Sequence, residues 1–282
     1  MIRTCFDAIQ SSWRALLRFW RAIIVFLLLY SAMIGAVYLF FATREATIAQ
    51  LILSFALALI APVLFFVIQT MAVRYIANAG HARSLTVGAL RDFWKLLLIS
   101  LAPILIVGLM IFILAQINVT PEQAVATSPP RPPGVKPAQP LQWQAIAIAS
   151  VQYLLLCLIL PLTLIHLWIA AGWEGLKAAV AGSFRILGRA LAPGSVLTYV
   201  IGFLFFAVAP YFLLFSKTEA SSTWLDIALF SGRLALAVLL SLLSWVATVG
   251  ALATLARGDA SRAADESARD LVDGRERAPV GS

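Results

Sequence analysis

Three short segments of the chain, here called the basic signatures, each place two cations one helical turn apart just before a long apolar run. In every copy two small residues and one large apolar residue precede the first cation. On a helix, positions i and i+4 share a face, so each signature presents a pair of positive charges that can bind an anionic group. The pairs are Arg14 and Arg18, Arg91 and Lys95, and Arg185 and Arg189. These six residues are candidates for contact with the headgroups of anionic lipids. The alternative is that their positive charge only sets the membrane topology.

Ionisable side chains inside the apolar runs form a second class of candidates, because such residues usually have a function. Arg233 lies seven residues after Asp226 and could bind an anionic substrate. The sequence favours the alternative that the bilayer begins near Arg233, because residues 234–256 form an uncharged run long enough to span a membrane. His166 lies near the end of the fourth apolar run. There, a hydrogen-bonded histidine at the membrane boundary is favoured over a proton relay.

The sequence contains none of the common nucleotide-binding, metal-binding or nucleophile motifs. The acidic residues near the signatures, Asp7, Asp92 and Glu174, are too few and too widely spaced for a carboxylate pair or a divalent metal site. Cys5 and Cys157 are predicted at different depths, so they form neither a disulfide nor a metal pair. The chain is therefore expected to be non-catalytic and to use no cofactor.

The composition places the chain in a membrane, because 62% of its residues are hydrophobic and only 12% are charged. The uncharged stretches are long enough to cross a hydrocarbon core of about 30 Å, and each must satisfy its own backbone hydrogen bonds as a helix. They do not alternate as barrel strands do. Six stretches are predicted to span within residues 1–256: about 22–42, 49–72, 96–117, 144–170, 194–216 and 225–256. The predicted fold is all-α and polytopic, with three hairpins each preceded by a basic amphipathic segment.

Lysine and arginine positions predict the orientation. With both termini on one side, that side holds sixteen Lys and Arg residues and the other side four. This bias places both termini in the cytoplasm of a bacterial-type inner membrane. The first apolar run is longer than the core of a signal peptide, so a retained anchor is favoured over a cleaved leader.

Internal similarity suggests that the hairpins arose by duplication. Pro62 in the second run matches Pro161 in the fourth, and each precedes a signature by a similar distance. Small residues at Ser31 and Gly35, and at Ala32 and Ala36, offer two faces of the first span where another helix can approach closely. Residues 118–141 contain seven prolines and predict an extended loop outside, and residues 257–282 predict a charged cytoplasmic tail.

Residues 71–110, and more clearly 164–204, resemble the broad bacterial group of six-span proteins related to the membrane domain of glycerophosphodiester phosphodiesterases. The likeness rests on Gly175 and on the segment from Ser183 to Arg189, which includes Phe184 and Arg185. The resemblance implies a membrane domain associated with lipid metabolism or of unknown role. It does not imply the phosphodiesterase activity itself, because the soluble catalytic domain of the fused members has no counterpart in this sequence.

Two functions remain open from the sequence alone. The favoured one is a scaffold or accessory protein of the inner membrane that contacts anionic lipid and has membrane proteins or further copies of itself as partners. The alternative is a transporter or permease component for a small solute or lipid, with the spans around Pro62 and Pro161 lining a path. Transporters usually place converging polar groups near the membrane midplane, and these runs contain few. No feature predicts nucleic-acid binding.

Overall fold

The computed structural model describes residues 2–18, 20–43, 47–77, 82–117, 143–216 and 223–276. Six of its helices are long and apolar enough to cross a membrane, and the described chain contains no strand. The prediction of an all-α, multi-pass membrane protein is confirmed. The six candidate spans cover Trp20–Ala42, Ile48–Tyr75, Leu85–Gln116, Ile146–Trp173, Pro193–Phe215 and Thr223–Gly258.

Eleven α-helices and two short π-helical turns make up the described chain, and the fourth and fifth spans each contain one π-helical turn. The fourth span comprises α5, the turn Leu155–Ile159 and α6, and the fifth comprises α9, the turn Leu204–Val208 and α10. The helices are α1 Ile2–Arg18, α2 Trp20–Ala42, α3 Ile48–Ala77, α4 Ala82–Ile117, α5 Trp143–Leu154, α6 Leu160–Trp173, α7 Leu176–Ala181, α8 Ser183–Ala190, α9 Pro193–Phe203, α10 Ala209–Phe215 and α11 Thr223–Glu276.

The three basic signatures do not have the same local structure. The first lies on the separate helix α1, and the third lies on α8, which is set off from α6 by Gly175 and from α9 by Pro193. Gly175 has a φ of +88°, a conformation that only glycine adopts at little cost. The second signature lies inside the continuous helix α4. Residues 82–95 contain no proline, so the helix runs without a break into the third span.

The tightest packing lies at the end of the bundle that carries α1, α7 and α8, here called the basic face. The fourth and sixth spans form its centre. In their most apolar 18-residue stretches 56% and 50% of the residues are buried, against 22% or less in the other four spans. In α6 every residue from Leu164 to Ala171 is buried. At the opposite end, large apolar side chains such as Phe41 and Phe55 are exposed. These side chains are the kind that a bilayer would cover.

Both π-helical turns are followed by a proline at the same spacing, Pro161 in one case and Pro210 in the other. A proline has no N–H group, so it cannot donate to the carbonyl four residues earlier. These carbonyls belong to Cys157 and Phe206. Each instead accepts a hydrogen bond of 2.9 Å from a neighbouring span, from the Tyr199 hydroxyl and the Ser241 hydroxyl respectively. Pro62, by contrast, lies within the regular helix α3.

Small residues bring α9 close to α11. A Cβ atom built at Gly202 would lie 2.9 Å from Thr248 Cβ, closer than two such carbons can approach. Of the two small faces predicted in the first span, no atom lies within 4 Å of a Cβ built at Gly35, so no close approach forms there, whereas Ala36 of the other face is buried. Small residues permit close packing but do not specify which neighbour supplies it.

The structure describes only one of the two polar segments that the sequence predicted outside the spans. The proline-rich segment 118–141 lies outside the described residues. The charged segment after Arg257 continues the sixth span, because α11 extends without interruption to Glu276. At 1.5 Å per residue its 54 residues are about 80 Å long, so the helix extends well beyond a bilayer.

Candidate functional site

The first basic signature lies on a helix with three distinct faces. One face is buried against the bundle, and the Tyr75 hydroxyl and the Cys5 thiol fasten it by donating to the carbonyls of Ala15 and Gly194, at 2.7 Å and 3.6 Å. The buried face consists of Cys5, Ala8 and Leu16. About 100° around the helix lies an apolar face formed by Phe6, Trp13 and Leu17, and about 200° around lies a basic face formed by Arg14 and Arg18. Both arginines are exposed.

The third signature repeats these faces in the same rotational order on α8. Ile186 and Ala190 are buried, Phe184 is 88% exposed, and Arg185 and Arg189 lie on the remaining face. A helix with this distribution lies at the boundary between bilayer and water, with one side on the bundle, one in the lipid and one in the headgroup layer. The structure therefore places two of the three predicted cation pairs at the basic face, with Arg14, Arg18 and Arg185 exposed and Arg189 half-buried.

The second signature differs because one of its cations has an internal partner. Lys95 Nζ lies 2.7 Å from a carboxylate oxygen of Asp92, and the Arg74 guanidinium of α3 donates to the other oxygen. Asp92 is 9% exposed. The carboxylate thus joins the second and third spans, and Arg91 is the exposed cation of this pair. The sequence showed the two cations but not their neighbour in α3.

His166 is buried in the fourth span, where it faces the start of α9. It is 5% exposed, and its Nδ1 lies 2.9 Å from the carbonyl of Leu162. A carbonyl can only accept, so Nδ1 carries the proton. The other ring nitrogen, Nε2, lies 3.3 Å from the Ser195 hydroxyl at the start of α9. The histidine therefore connects the fourth and fifth spans at the level where α9 begins.

Arg233 lies at the end of the bundle opposite the basic face. Its Nη1 donates a hydrogen bond of 2.7 Å to the carbonyl of Ser216, the residue that caps the C-terminus of α10. The last carbonyls of a helix have no partner within that helix and carry partial negative charge, so a cation stabilises them. The guanidinium thus closes the end of the fifth span, and residues 223–232 of α11 lie beyond it and are exposed.

A polar cluster that the sequence analysis missed lies within the bundle, around a cavity of about 250 Å³. The Trp245 indole N–H donates to Gln69 Oε1 at 2.8 Å, and Tyr30 and Ser241 also line this cavity. Gln69 is 4% exposed. The available signal was a single amide in the uncharged run 49–72, which gains significance only when the sixth span supplies its partner.

The three acidic residues near the signatures do not converge. Asp7 is exposed on α1, Asp92 binds the two cations named above, and Glu174 is exposed where α6 ends. Within the described part of the chain, no group of three His, Cys, Asp or Glu side chains is placed to hold a metal ion.

No protein-family model matches the chain, and comparisons with curated proteins and with solved structures found no match.

Proposed function

We propose that the chain is a non-catalytic protein of a bacterial inner membrane that serves as a scaffold or accessory protein and binds anionic lipid through its basic face. The observation that carries this proposal is the shared three-faced design of α1 and α8, which turns Arg14, Arg18, Arg185 and Arg189 away from the bundle and supports their contact with lipid headgroups. Cations in that layer gain about 1 kcal/mol each from an acidic lipid surface. The bias of sixteen Lys and Arg residues against four supports a cytoplasmic basic face.

The same design supports two finer points of the proposal. The equal rotational order of faces on α1 and α8 favours descent of these hairpins from one duplicated unit, with the second copy altered by the ion pairs of Asp92. The resemblance to membrane domains related to glycerophosphodiester phosphodiesterases fits a role beside lipid metabolism. Membrane proteins or a second copy of the chain are the partners that we propose for such a scaffold.

We expect the unmodified chain to retain phosphatidylglycerol in preference to phosphatidylcholine. Replacing Arg14, Arg18, Arg185 and Arg189 by Gln should remove this preference. Two cations at about 1 kcal/mol each correspond to about 30-fold in affinity for each helix. The measurement is native mass spectrometry of lipids retained by the full chain from nanodiscs that contain both lipids. Arg233→Gln, at the opposite end, is the control and should keep the preference. Equal retention of both lipids by the unmodified chain would contradict the proposal.

Transport of a small solute or lipid is the second candidate function, and the polar cavity around Gln69 favours it. A transport path must admit water, so a cysteine in it would react with a charged thiol reagent. Under the scaffold proposal we expect Ser241→Cys, in a chain whose Cys5 and Cys157 are replaced by Ala, to stay unreactive in proteoliposomes. Asp7 is exposed on α1, so Asp7→Cys is the control that should react with the reagent. Rapid modification of the cysteine at position 241 would favour transport.

A further inference from the structure

An apolar groove of about 550 Å³ lies between the third and fourth spans and is bounded at the basic face by α8. Its volume is in the range of small-molecule binding sites. Ile106, Met110 and Phe184 line it and are 60%, 44% and 88% exposed, so the groove opens sideways to the bilayer. Its walls are mostly apolar, with Thr163 and Ser183 as the hydroxyl side chains, which fits a hydrocarbon chain.

The length of the groove matches one leaflet of a bilayer. It follows α4 from Leu98 to Met110 and the fourth span from Leu155 to Leu167. Twelve residues of helix rise about 18 Å, and half of a hydrocarbon core is about 15 Å thick. The groove therefore accommodates an extended acyl chain from the leaflet at the basic face.

The basic signature itself forms the boundary of this groove. Phe184, the large apolar residue of the third signature, lines it together with Val180, four positions earlier. In the first copy the equivalent residues are Trp13 of the signature and Ile9, four positions before it. They line a second groove of about 290 Å³ between α9 and α11. Two copies of one sequence pattern thus place the same positions against a groove between spans. This repetition gives the apolar residue of the signature a role that topology does not explain.

Cations lie beside the same end of the larger groove. Arg185 directly follows Phe184 and is exposed. On α4, Lys95 and Arg91 precede the groove residue Leu98 by one and two helical turns, so all three share a face. The second and third signatures therefore flank this end of the groove, one on α4 and one on α8. A ligand with an apolar chain in the groove would place an anionic headgroup among these charges.

We propose that the groove between the third and fourth spans is a binding site for one anionic glycerophospholipid, whose acyl chain lies along α4 and α6 and whose phosphate contacts Arg91 and Arg185. The smaller groove beside Trp13 is the equivalent site of the first signature. The headgroup part of this inference rests on the proposed binding of anionic lipid, whereas the acyl-chain part depends only on the groove.

The test uses the full chain in nanodiscs that contain a phosphatidylglycerol with a diazirine in the middle of one acyl chain. After photolysis, peptide mapping should find the label on α4 and α6 at groove residues. Ala102→Trp, which fills the groove, should reduce this labelling by at least about tenfold, equivalent to about 1.4 kcal/mol. Ile106→Trp provides a second groove-filling variant. Leu105→Trp is the matched control, because Leu105 is 68% exposed on α4 but does not line the groove.

Labelling spread evenly over all lipid-facing helices, or unchanged in both groove-filling variants, would overturn the proposed site. The headgroup part has its own readout in a phosphatidylcholine probe with the same chains. Weaker groove labelling by that probe, with the difference abolished in Arg91→Gln/Arg185→Gln, supports selection of the anionic headgroup. Because phosphatidylcholine also carries a phosphate, equal labelling by both probes would refute selection by net negative charge and leave a site that does not discriminate headgroups, which distinguishes failure of the headgroup part from failure of the groove.

Discussion

Gly202→Val is expected to destabilise the protein by about 3 kcal/mol, at the upper end of the cost of overfilling a packed core. A Cβ at this position would lie 2.9 Å from Thr248 Cβ and 2.7 Å from its Cγ2, and valine adds two further methyl groups. Because Thr248 is branched at Cβ and belongs to the helix α11, it cannot rotate away, so α9 must move from α11. Unfolding in a denaturing detergent, followed by tryptophan fluorescence, measures the change.

Gly108→Val is the matched control, because it introduces the same residue into an exposed position of α4 with no atom within 4 Å of a built Cβ. The double variant Gly202→Val/Thr248→Ala should recover part of the lost stability, because it removes the opposing methyl and hydroxyl groups. If Gly202→Val and Gly108→Val shifted the transition equally, the close contact between α9 and α11 would be disproved.

Asp92→Asn is expected to cost about 2 kcal/mol. This value lies between the ~1 kcal/mol of an exposed ion pair and the ~3–5 kcal/mol lost when one partner of a buried pair is removed. The Asp92 side chain is 12% exposed, while those of Arg74 and Lys95 are 31% and 35% exposed and can regain water. Without the carboxylate the two cations repel each other across the contact between the second and third spans. The same detergent unfolding assay applies.

Asp7→Asn makes the same chemical change on an exposed residue and should alter stability by less than about 0.5 kcal/mol. Adding Arg74→Gln to Asp92→Asn removes one of the repelling charges, so the second substitution should cost less than it does alone. Additive effects of the two substitutions would argue against the ion pair between α3 and α4.

The sequence was sufficient to predict the six helices, because hydrophobic length and the spacing of charges act along the chain and need no knowledge of neighbours. The amphipathic segments containing Arg14 and Arg185 could be predicted for the same reason. The groove could not, because it depends on which spans lie side by side. Contacts between spans depend on small residues and single polar groups, and Gly35 and Gly202 look alike until the structure shows that only Gly202 has a close neighbour.

The intramembrane residues show a similar limit. Arg233 and His166 stood out by charge, and both are engaged in contacts that connect helix ends. The contacts of Gln69 and Asp92 could not be predicted, because their partners, Trp245 and Arg74, lie on other helices and share no pattern with them in the sequence. A polar group in an apolar run acquires meaning from its partner, and no periodicity in the chain indicates which span supplies that partner.

The π-helical turns Leu155–Ile159 and Leu204–Val208 also affect how this chain should be aligned with others. Such a turn accommodates one residue more than the regular helix that it replaces, and it rotates all later side chains by about 100°. Faces counted from the start of the fourth or fifth span are therefore out of phase beyond the turn. A chain that shares this fold but has regular helices there should be one residue shorter at each turn. Alignments that forbid gaps inside transmembrane helices would then match lipid-facing residues with buried ones.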